Sequence, residues 1–212
     1  MHKASLKDFL LLIALAAIWG SAFFNIKIAS DSFTPMSIAF GRIFFAALVL
    51  VLYCWIKGIK IEAFGENWKM YALIIILGPF FYTLGGLFSL KLKHIKNETV
   101  TSSILIWAVI IFLPILFIVD NPTELRPSWT STVSLFYLGV VATAIAWLMR
   151  FYILKNNGLV FQSQVAYIIP IFGLIFGYLF LGEKITYKII VALIAVLIST
   201  FLIEKSKKAK IL

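Results

Sequence analysis

Polar side chains inside long apolar runs are the residues of this sequence that could do chemistry. Trp19, Ser21 and Asn25 fall in the first such run, and Arg42 falls in the second. Ser21 and Asn25 are four residues apart, so they share one face of a helix, while Trp19 lies to the side of that face. Such a set predicts either hydrogen bonding between helices or the lining of a path for a polar solute.

Arg42 is the most informative charge, because it follows Pro35, a residue that suits the first turn of a helix. The two are seven residues apart. At about 1.5 Å of rise per residue, Arg42 lies about 10 Å along that helix. Charges at such depth are costly in lipid. We therefore expect Arg42 to face a solute or another helix, or to extend its side chain back to the membrane surface.

A second polar set precedes Pro170 in a later apolar run. Gln164 and Tyr167 are three residues apart and share a helix face, and Pro170 leaves a carbonyl one turn earlier without its usual partner. Kinked helices are favoured places for binding a solute within a membrane. A plain structural kink is the alternative. The predicted substrate-path residues are Trp19, Asn25, Arg42, Gln164 and Tyr167.

The sequence offers little that an enzyme would need. All nine acidic residues lie in loops or at the ends of apolar runs, so no buried carboxylate is available as a proton relay. His2 and His94 are too few and too peripheral for a metal site or a catalytic base. No glycine-rich phosphate loop occurs. We predict no enzymatic activity, no cofactor and no bound metal.

The elements that must position these residues are membrane helices. Of the 212 residues, 62% are hydrophobic and 13% are charged, against about 45–50% and about 25% in soluble proteins. The apolar runs are continuous, whereas a membrane barrel requires alternation. Cys54 is the only cysteine, which excludes a disulfide scaffold. The net charge of +10 lies in short clusters between the runs and favours lipid head groups over nucleic acid.

Seven apolar runs are long enough to cross a bilayer, since about 20 helical residues span about 30 Å. The fold predicted from them is an all-α membrane protein, a bundle of about seven transmembrane helices. The runs lie between Asp8 and Lys27, at Phe33–Ile56, Met70–Leu90, Thr99–Val119 and Pro127–Trp147, between Lys155 and Glu183, and at Ile185–Ile203.

Motifs near both ends of the chain resemble the EamA type of the drug/metabolite transporter superfamily. They are AIWGSAF at Ala17–Phe23, then Pro35 and FGR at Phe40–Arg42, and later YIIP at Tyr167–Pro170, Gly177 and LGEKI at Leu181–Ile185. The resemblance implies a permease for small organic metabolites. It also favours Trp19, because the first helix of that family faces the central cavity.

Four further residues of the carboxyl-terminal motif have structural roles in this interpretation, together with the kink at Pro170. Gly173 and Gly177 form a GxxxG pattern, which is typical of close helix packing. Glu183 follows Gly182 in a short turn between two predicted helices. We expect Glu183 to make a contact at a helix end or in the loop.

The resemblance also implies an internal deletion, because family members are typically ten helices arranged as two inverted repeats of five. Residues 68–81 resemble the start of the third helix, and Tyr82–His94 resembles the end of the sixth. The chain then divides into a partial amino-terminal repeat at residues 1–81 and a nearly complete carboxyl-terminal repeat at residues 82–212. The bundle would be the remnant of a ten-helix transporter.

The distribution of positive charge conflicts with seven crossings. Lys and Arg favour cytoplasmic loops, yet seven crossings would place eight basic residues on one side and ten on the other. The chain up to Lys69 favours a cytoplasmic amino terminus, and the chain from Lys91 favours a cytoplasmic carboxyl terminus. Both are satisfied only by an even number of crossings. Either one preference yields, or Met70–Leu90 is a kinked or re-entrant segment.

The leading functional prediction is a multi-pass protein of the inner cell membrane that moves a small organic solute. Its expected partners are the lipid bilayer and that solute, with no nucleic acid. One alternative is an internally deleted transporter without activity, two copies of which would pair to rebuild a symmetrical bundle; another is a helical membrane interaction subunit. A retinal protein is disfavoured, because Ile189–Ile203 has no lysine for a Schiff base.

Overall fold

The described part of the chain is helical. The computed structural model describes residues 5–77, 91–92, 94–120, 122, 125–195 and 198. Its helices are α1 (Leu6–Ala29), α2 (Pro35–Ile56), α3 (Trp68–Leu77), α4 (Asn97–Val119), α5 (Trp129–Gly139), α6 (Ala146–Ser163) and α7 (Val165–Leu181). A π-helical segment, Val140–Ile145, joins α5 to α6, and residues 187–195 are also helical. The all-α membrane fold predicted from the sequence is confirmed.

The starts of the first two helices are set by local side-chain chemistry. The Ser5 hydroxyl accepts a hydrogen bond from Asp8 N–H, and the Asp8 carboxylate accepts one from Ser5 N–H at 2.8 Å, which together form a capping box. Thr34 accepts a hydrogen bond from Ser37 N–H at 3.1 Å, and Pro35 occupies the first turn of α2. A proline is tolerated there because that N–H has no helical partner.

Four helical stretches of the described residues are long and apolar enough to cross a membrane: α1, α2, α4 and the continuous stretch from Trp129 to Ser163. Helix α1 packs along α7 and α5, and α2 packs along α4 and α5. The short helix α3 packs on α4. Each helix buries one stripe against its neighbours and leaves large apolar side chains exposed on the rest of its surface. Such exposure suits lipid as the surrounding solvent.

The two ends of the bundle are marked by contacts between helix ends. At the end that contains Lys7, the Lys7 ammonium lies 5.7 Å from the centre of the Tyr152 ring, and Phe9 packs edge-on to Phe161. We call it the Lys7 end. At the opposite end, the Lys27 end, Lys27 pairs with Glu183 at 2.7 Å. Helix α7 joins the two ends, because it starts beside Phe161 and finishes beside Glu183.

Helices α2 and α4 are antiparallel neighbours, and this fixes the path of the chain between them. Ser37 and Thr34 at the start of α2 both donate hydrogen bonds to Asp120 at the end of α4, with 2.6 Å for Ser37. Thr99 at the start of α4 donates a hydrogen bond of 2.8 Å to the Lys60 carbonyl, just beyond the end of α2. Residues 57–96 therefore begin and finish at the same end of the bundle.

That end is the Lys7 end, because Lys7, Asn97 and Tyr152 line one cleft. Lys60 and Thr99, which flank the predicted run Met70–Leu90, consequently lie at the same end of the bundle, as an even number of crossings requires. Of this run, residues 78–90 lie outside the described part of the chain. The proposed junction near Gly78–Thr83 falls among them, and the division of the chain into repeats stays a prediction.

The helix of the apolar run Pro127–Trp147 continues beyond that run. Arg150 and Lys155 both lie within α6. The break comes at Gly158, where φ is +82°, a conformation that favours glycine. The helix continues past Arg150 because this side chain is only 5% exposed and packs against aromatic rings rather than reaching solvent.

Candidate functional site

The polar residues of α1 meet α5 and the π-helical segment in the interior of the bundle. The indole N–H of Trp19 donates a hydrogen bond of 3.2 Å to the carbonyl of Ala142. Ser21 Oγ donates to the Ile18 carbonyl at 2.7 Å and lies 2.7 Å from the hydroxyl of Tyr137, which can donate to it. These contacts tie the α1 motif to a helix more than 110 positions later in the chain.

Asn25 completes this set, which we call the α1 polar cluster: Trp19, Ser21, Asn25 and Tyr137. Asn25 is buried, and its side-chain amide donates a hydrogen bond of 3.0 Å to the Ser21 carbonyl. One amide N–H serves a backbone group of its own helix, whereas the side-chain oxygen has no described hydrogen bond. An asparagine has both donor and acceptor capacity. The cluster therefore offers a polar acceptor inside an apolar bundle.

The π-helical segment gives this cluster its backbone partner. Thr143 Oγ1 donates a hydrogen bond of 2.7 Å to the Leu138 carbonyl, five positions earlier. The wider turn of a π-helix interrupts the regular hydrogen-bond ladder, and such segments occur frequently at functional sites. Here the segment presents the Ala142 carbonyl to Trp19. Nothing in the apolar sequence Val140–Ile145 signalled this segment beforehand.

Arg42 lies on the α2 side of the same region. Its backbone carbonyl would be 3.1 Å from a Cβ added at Gly139, the last residue before the π-helical segment, and Phe45 Cβ would be 2.5 Å away. The glycine thus lets α2 and α5 approach at backbone distance. The Arg42 side chain is half-buried. Among the described residues no ion pair to its guanidinium is found.

Gln164 and Tyr167 lie at the junction of α6 and α7, and both are half-buried. Their described hydrogen bonds are made by the backbone: Gln164 N–H donates to the Phe161 carbonyl at 3.1 Å, and Tyr167 N–H donates to the Gln164 carbonyl at 3.1 Å. Trp19 packs near this helix through a cluster that includes Val165 and Ile168. The described contacts bring Trp19 and Asn25 together with α5, but they do not join Gln164 and Tyr167 to that cluster.

The carboxyl-terminal motif connects α7 to α1 through an ion pair at the Lys27 end. Gly182 has φ of +63°, and this left-handed residue reverses the chain so that Glu183 N–H donates 3.2 Å to the Gly177 carbonyl. The Glu183 carboxylate then reaches Lys27 of α1. A Cβ added at Gly177 would lie 2.7 Å from Glu183 Oε2. This one turn therefore accounts for the roles of Gly177, Gly182 and Glu183.

Charge reversal tests the ion pair between Lys27 and Glu183. Lys27→Glu and Glu183→Lys alone should each lower the free energy of unfolding by about 0.2–1 kcal/mol, because the pair is roughly half exposed and screened by water. The double variant should recover most of the loss, since it restores opposite charges. Unfolding titrations in detergent micelles measure the effect. Loss in the double variant equal to the sum of the single losses would show that no pairing exists.

The remaining glycines of the motifs allow close packing of α1 on α7. A Cβ added at Gly20 would lie 2.5 Å from Phe172 Cβ and 3.0 Å from the Gly173 nitrogen. A Cβ added at Gly173 would meet only the ring edge of Phe23, at 3.1 Å. Pro170 lies within α7 between these contacts and the α6 junction. The small residues therefore let α1 pack closely against α7.

Sequence reasoning missed several interior polar residues: Tyr137, Thr143, Arg150 and Gln162, which the structure places in contact or burial within the bundle. Tyr137 and Thr143 sit in the run Pro127–Trp147 and gave no signal of their partners. For Arg150 the spacing of its neighbours does indicate burial. Trp147, Phe151 and Leu154 lie on the same helix face as Arg150, and all three are apolar.

Comparison with known proteins accounts for the motifs at both ends. The EamA-like transporter family matches two stretches of this chain, residues 6–85 and 69–204. The chain is also 33% identical over 112 residues to the uncharacterized transporter in trpA 3'region of Buchnera aphidicola subsp. Schlechtendalia chinensis. The aligned part is 53% of this chain and 36% of that protein, so this chain covers about a third of the relative's length.

No solved structure matches this chain. The two family stretches overlap at residues 69–85 and together extend from residue 6 to residue 204. This coverage accords with the apolar helices of the described structure, which give the architecture of a multi-pass membrane protein. The chain belongs to the EamA-like transporter family.

Proposed function

We propose that this chain moves a small organic metabolite across the inner membrane, along a path that passes the α1 polar cluster. The observation that carries the proposal is the hydrogen bond from Trp19 to the Ala142 carbonyl of the π-helical segment. This bond is made inside the bundle between side chain and backbone. A passing solute that carries both a donor and an acceptor can pair with the Ala142 carbonyl and the Trp19 N–H at once, so that neither buried group is left unpaired.

The other predicted path residues have complementary roles in this proposal. Asn25 supplies an amide that can both donate and accept. Arg42 supplies a positive charge on α2, beside the α5 contact at Gly139. Gln164 and Tyr167 lie where α6 meets α7, one turn or two before Pro170 of α7. Kinked helices that expose backbone carbonyls are used by transporters to hold solutes near the middle of the membrane.

Flux into vesicles tests the proposal. The purified chain is reconstituted in proteoliposomes, and the uptake of radiolabelled amino acids and nucleosides is measured. Trp19→Phe removes the indole N–H donor and keeps an aromatic ring, so we expect about a fivefold lower flux, the equivalent of one neutral hydrogen bond of about 1 kcal/mol. Arg126→Gln, a change in an exposed loop residue, is the control and should leave flux unchanged.

A chain that is folded but shows no flux with a broad panel would contradict the proposal. Folding is checked by circular dichroism and by a single symmetrical peak in size-exclusion chromatography. A Trp19→Phe variant with the flux of the unaltered chain would leave transport standing but remove the α1 polar cluster from the path. The first result therefore contradicts transport itself, and the second contradicts only the path past the α1 polar cluster.

The second candidate is an internally deleted transporter that has lost activity. It is favoured by the overlap of the two family matches at residues 69–85 and by the position of Lys60 and Thr99 at the same end of the bundle. Alternating access depends on two repeats that move against each other. In this case the short chain shows no flux, and restoring the missing helices between Gly78 and Tyr82 restores it.

Crosslinking on the same vesicles separates the remaining alternatives. A homodimer that rebuilds a symmetrical bundle gives a crosslinked pair together with flux. A helical membrane interaction subunit gives crosslinks to another protein in native membranes and no flux after reconstitution. Equal flux by the short and the restored chains would exclude the inactive remnant.

A further inference from the structure

A cleft at the Lys7 end brings two opposite charges from different helices to one cavity. The cleft has a volume of about 340 Å³ and lies between α1, α4 and α6. Lys7 of α1 and Glu98 of α4 both line it, and Tyr152 of α6 lies between them in the lining. Leu11 of α1 and Met149 of α6 supply apolar surface. The cleft is therefore polar and doubly charged at one part and apolar at another.

Lys7 and Glu98 do not neutralise each other. The ion pairs found in the part of the chain that the structure describes are formed by other side chains. The exposed Lys7 ammonium lies 5.7 Å from the centre of the Tyr152 ring, and this contact leaves its N–H groups available to an anion. The half-buried Glu98 carboxylate can accept hydrogen bonds from a cation. One occupant that carries both charges can therefore pair with both side chains.

Both charges lie where a membrane helix begins. Lys7 is the second residue of α1, and Glu98 is the second residue of α4. Both helices are long and apolar enough to cross a membrane, and both start at the Lys7 end. Because the hydrocarbon is about 30 Å thick, the first turn of a helix of this length lies at the level of the lipid head groups. The two charges are therefore placed at that level.

The helix faces below the charges are apolar and open. Ala14 lies three residues after Leu11, on the same face of α1, and is exposed. Ile145 lies four residues before Met149 and is 43% exposed. These positions extend the apolar part of the cleft toward the hydrocarbon. Such an extension favours an occupant with an acyl chain over a small zwitterion from water, which has no apolar part of that length to bury.

We propose that this cleft binds a phospholipid whose head group carries a phosphate and a primary ammonium, as phosphatidylethanolamine does. Lys7 pairs with the phosphate, Glu98 accepts hydrogen bonds from the ammonium, and the open apolar faces hold an acyl chain. Hydrogen bonds between charged groups are the strongest that such a head group can form. This lipid is a different partner from the solute of the proposed function, and its binding does not require transport.

Competition between lipids tests the site. The full chain is purified in detergent and mixed with equal amounts of dioleoyl phosphatidylethanolamine, phosphatidylcholine and phosphatidylglycerol, and native mass spectrometry measures how much of each lipid stays bound. The choline head group keeps a positive charge but has no N–H to donate, and the glycerol head group has no positive charge. We expect about fivefold more bound phosphatidylethanolamine than either competitor, because both lose the charged hydrogen bond to the carboxylate.

Two substitutions assign the two ends of the head group. Glu98→Gln should make the three lipids bind equally, because only the ammonium depends on that carboxylate. Lys7→Gln should lower the binding of all three about threefold and keep the preference, because all three carry the phosphate. Glu66→Gln and Lys57→Gln remove the same charges from exposed positions at the same end of the bundle. These two controls should change neither the amounts bound nor the preference.

A third substitution keeps the test independent of the helix starts. Ala14→Trp places a ring on the open face of α1 without changing a charge, so it should lower the binding of all three lipids at least threefold. Unchanged lipid binding by this variant would contradict the position of the acyl chain. An undiminished preference in a folded Glu98→Gln variant, or equal binding of the three lipids by the unaltered chain, would overturn the site itself.

The free head group distinguishes a lipid from a soluble zwitterion. Glycerophosphoethanolamine has the same charges without acyl chains, and leucine is a small zwitterion with an apolar side chain. We expect neither to displace bound phosphatidylethanolamine at about a hundredfold excess, because the acyl chains contribute most of the buried apolar area. Displacement by either compound, lost in Glu98→Gln, would overturn the lipid and assign the cleft to a soluble zwitterion.

Discussion

Cysteines introduced at Lys60 and at Lys96 are expected to give the same result in a labelling experiment on intact cells. Residues 57–96 begin and finish at the Lys7 end, since Thr99 of α4 donates a hydrogen bond to the Lys60 carbonyl. Seven straight crossings would instead place Lys60 and Lys96 on opposite sides of the membrane. The pair therefore separates an even from an odd number of crossings in one comparison.

The orientation follows from the charges at the two ends. Among the described residues, the Lys7 end carries six lysines and the Lys27 end carries three lysines and one arginine. They are Lys7, Lys57, Lys60, Lys91, Lys96 and Lys155 at the first end, and Lys27, Arg126, Lys184 and Lys188 at the second. Positively charged loops favour the cytoplasm. We expect the Lys7 end to be cytoplasmic.

A membrane-impermeant maleimide measures this in cells that express Lys60→Cys, Lys96→Cys, Asp31→Cys or Arg126→Cys. The first two should stay unlabelled until the cells are opened, and the last two should label at once. The native Cys54 is 0% exposed and gives a low background, which the unaltered chain measures. Labelling of Lys96→Cys but not of Lys60→Cys in intact cells would show that the intervening segment crosses after all.

The sequence was sufficient to predict those features that depend on one helix at a time. Hydropathy locates α1, α2 and α4, because each must supply about 20 apolar residues to cross the hydrocarbon. The spacing of Ser21 and Asn25 predicted a shared helix face, and Asn25 donates its hydrogen bond to Ser21 on that face. Such features follow from the helical period and need no knowledge of the neighbours.

The features that were missed depend on which helices become neighbours. The partner of Ser21 is the Tyr137 hydroxyl, 116 positions away, and no local pattern specifies that pairing. The π-helical segment is apolar except for Thr143, so its altered hydrogen bonding leaves no trace in hydropathy. Arg150 was counted with the charges of one membrane surface, because a charge at the end of an apolar run usually marks that surface. It is 5% exposed and packs against the Trp147 and Phe151 rings.

The distribution of charged residues predicted which loops lie on the same side of the membrane, which hydropathy alone does not predict. Counting Lys and Arg required an even number of crossings, whereas counting apolar runs suggested seven. The hydrogen bonds between α2 and α4 satisfy the first requirement for the described residues. A hydrophobic run long enough to cross does not specify that it crosses, because kinked or re-entrant segments are tolerated when they are buried against other helices.

Gly20→Ala should be the most damaging small substitution at the interface between α1 and α7. The added Cβ would lie 2.5 Å from Phe172 Cβ and 3.0 Å from the backbone nitrogen of Gly173, so α1 and α7 must move apart. Overpacking of this kind costs about 1–3 kcal/mol. The loss is measured as a lower free energy of unfolding in detergent micelles titrated with sodium dodecyl sulfate.

Gly173→Ala is the matched control, because the same methyl group is added to the facing helix. There the Cβ would meet only the Phe23 ring edge at 3.1 Å, and Phe23 is 59% exposed and free to rotate. We expect a change below about 0.5 kcal/mol, as for most substitutions that strain nothing rigid. Phe172→Ala should not rescue Gly20→Ala, since alanine keeps the Cβ that clashes, whereas Phe172→Gly should restore part of the loss. Equal destabilisation by Gly20→Ala and Gly173→Ala would mean that the contact depends on side-chain rings rather than on two backbones in close approach.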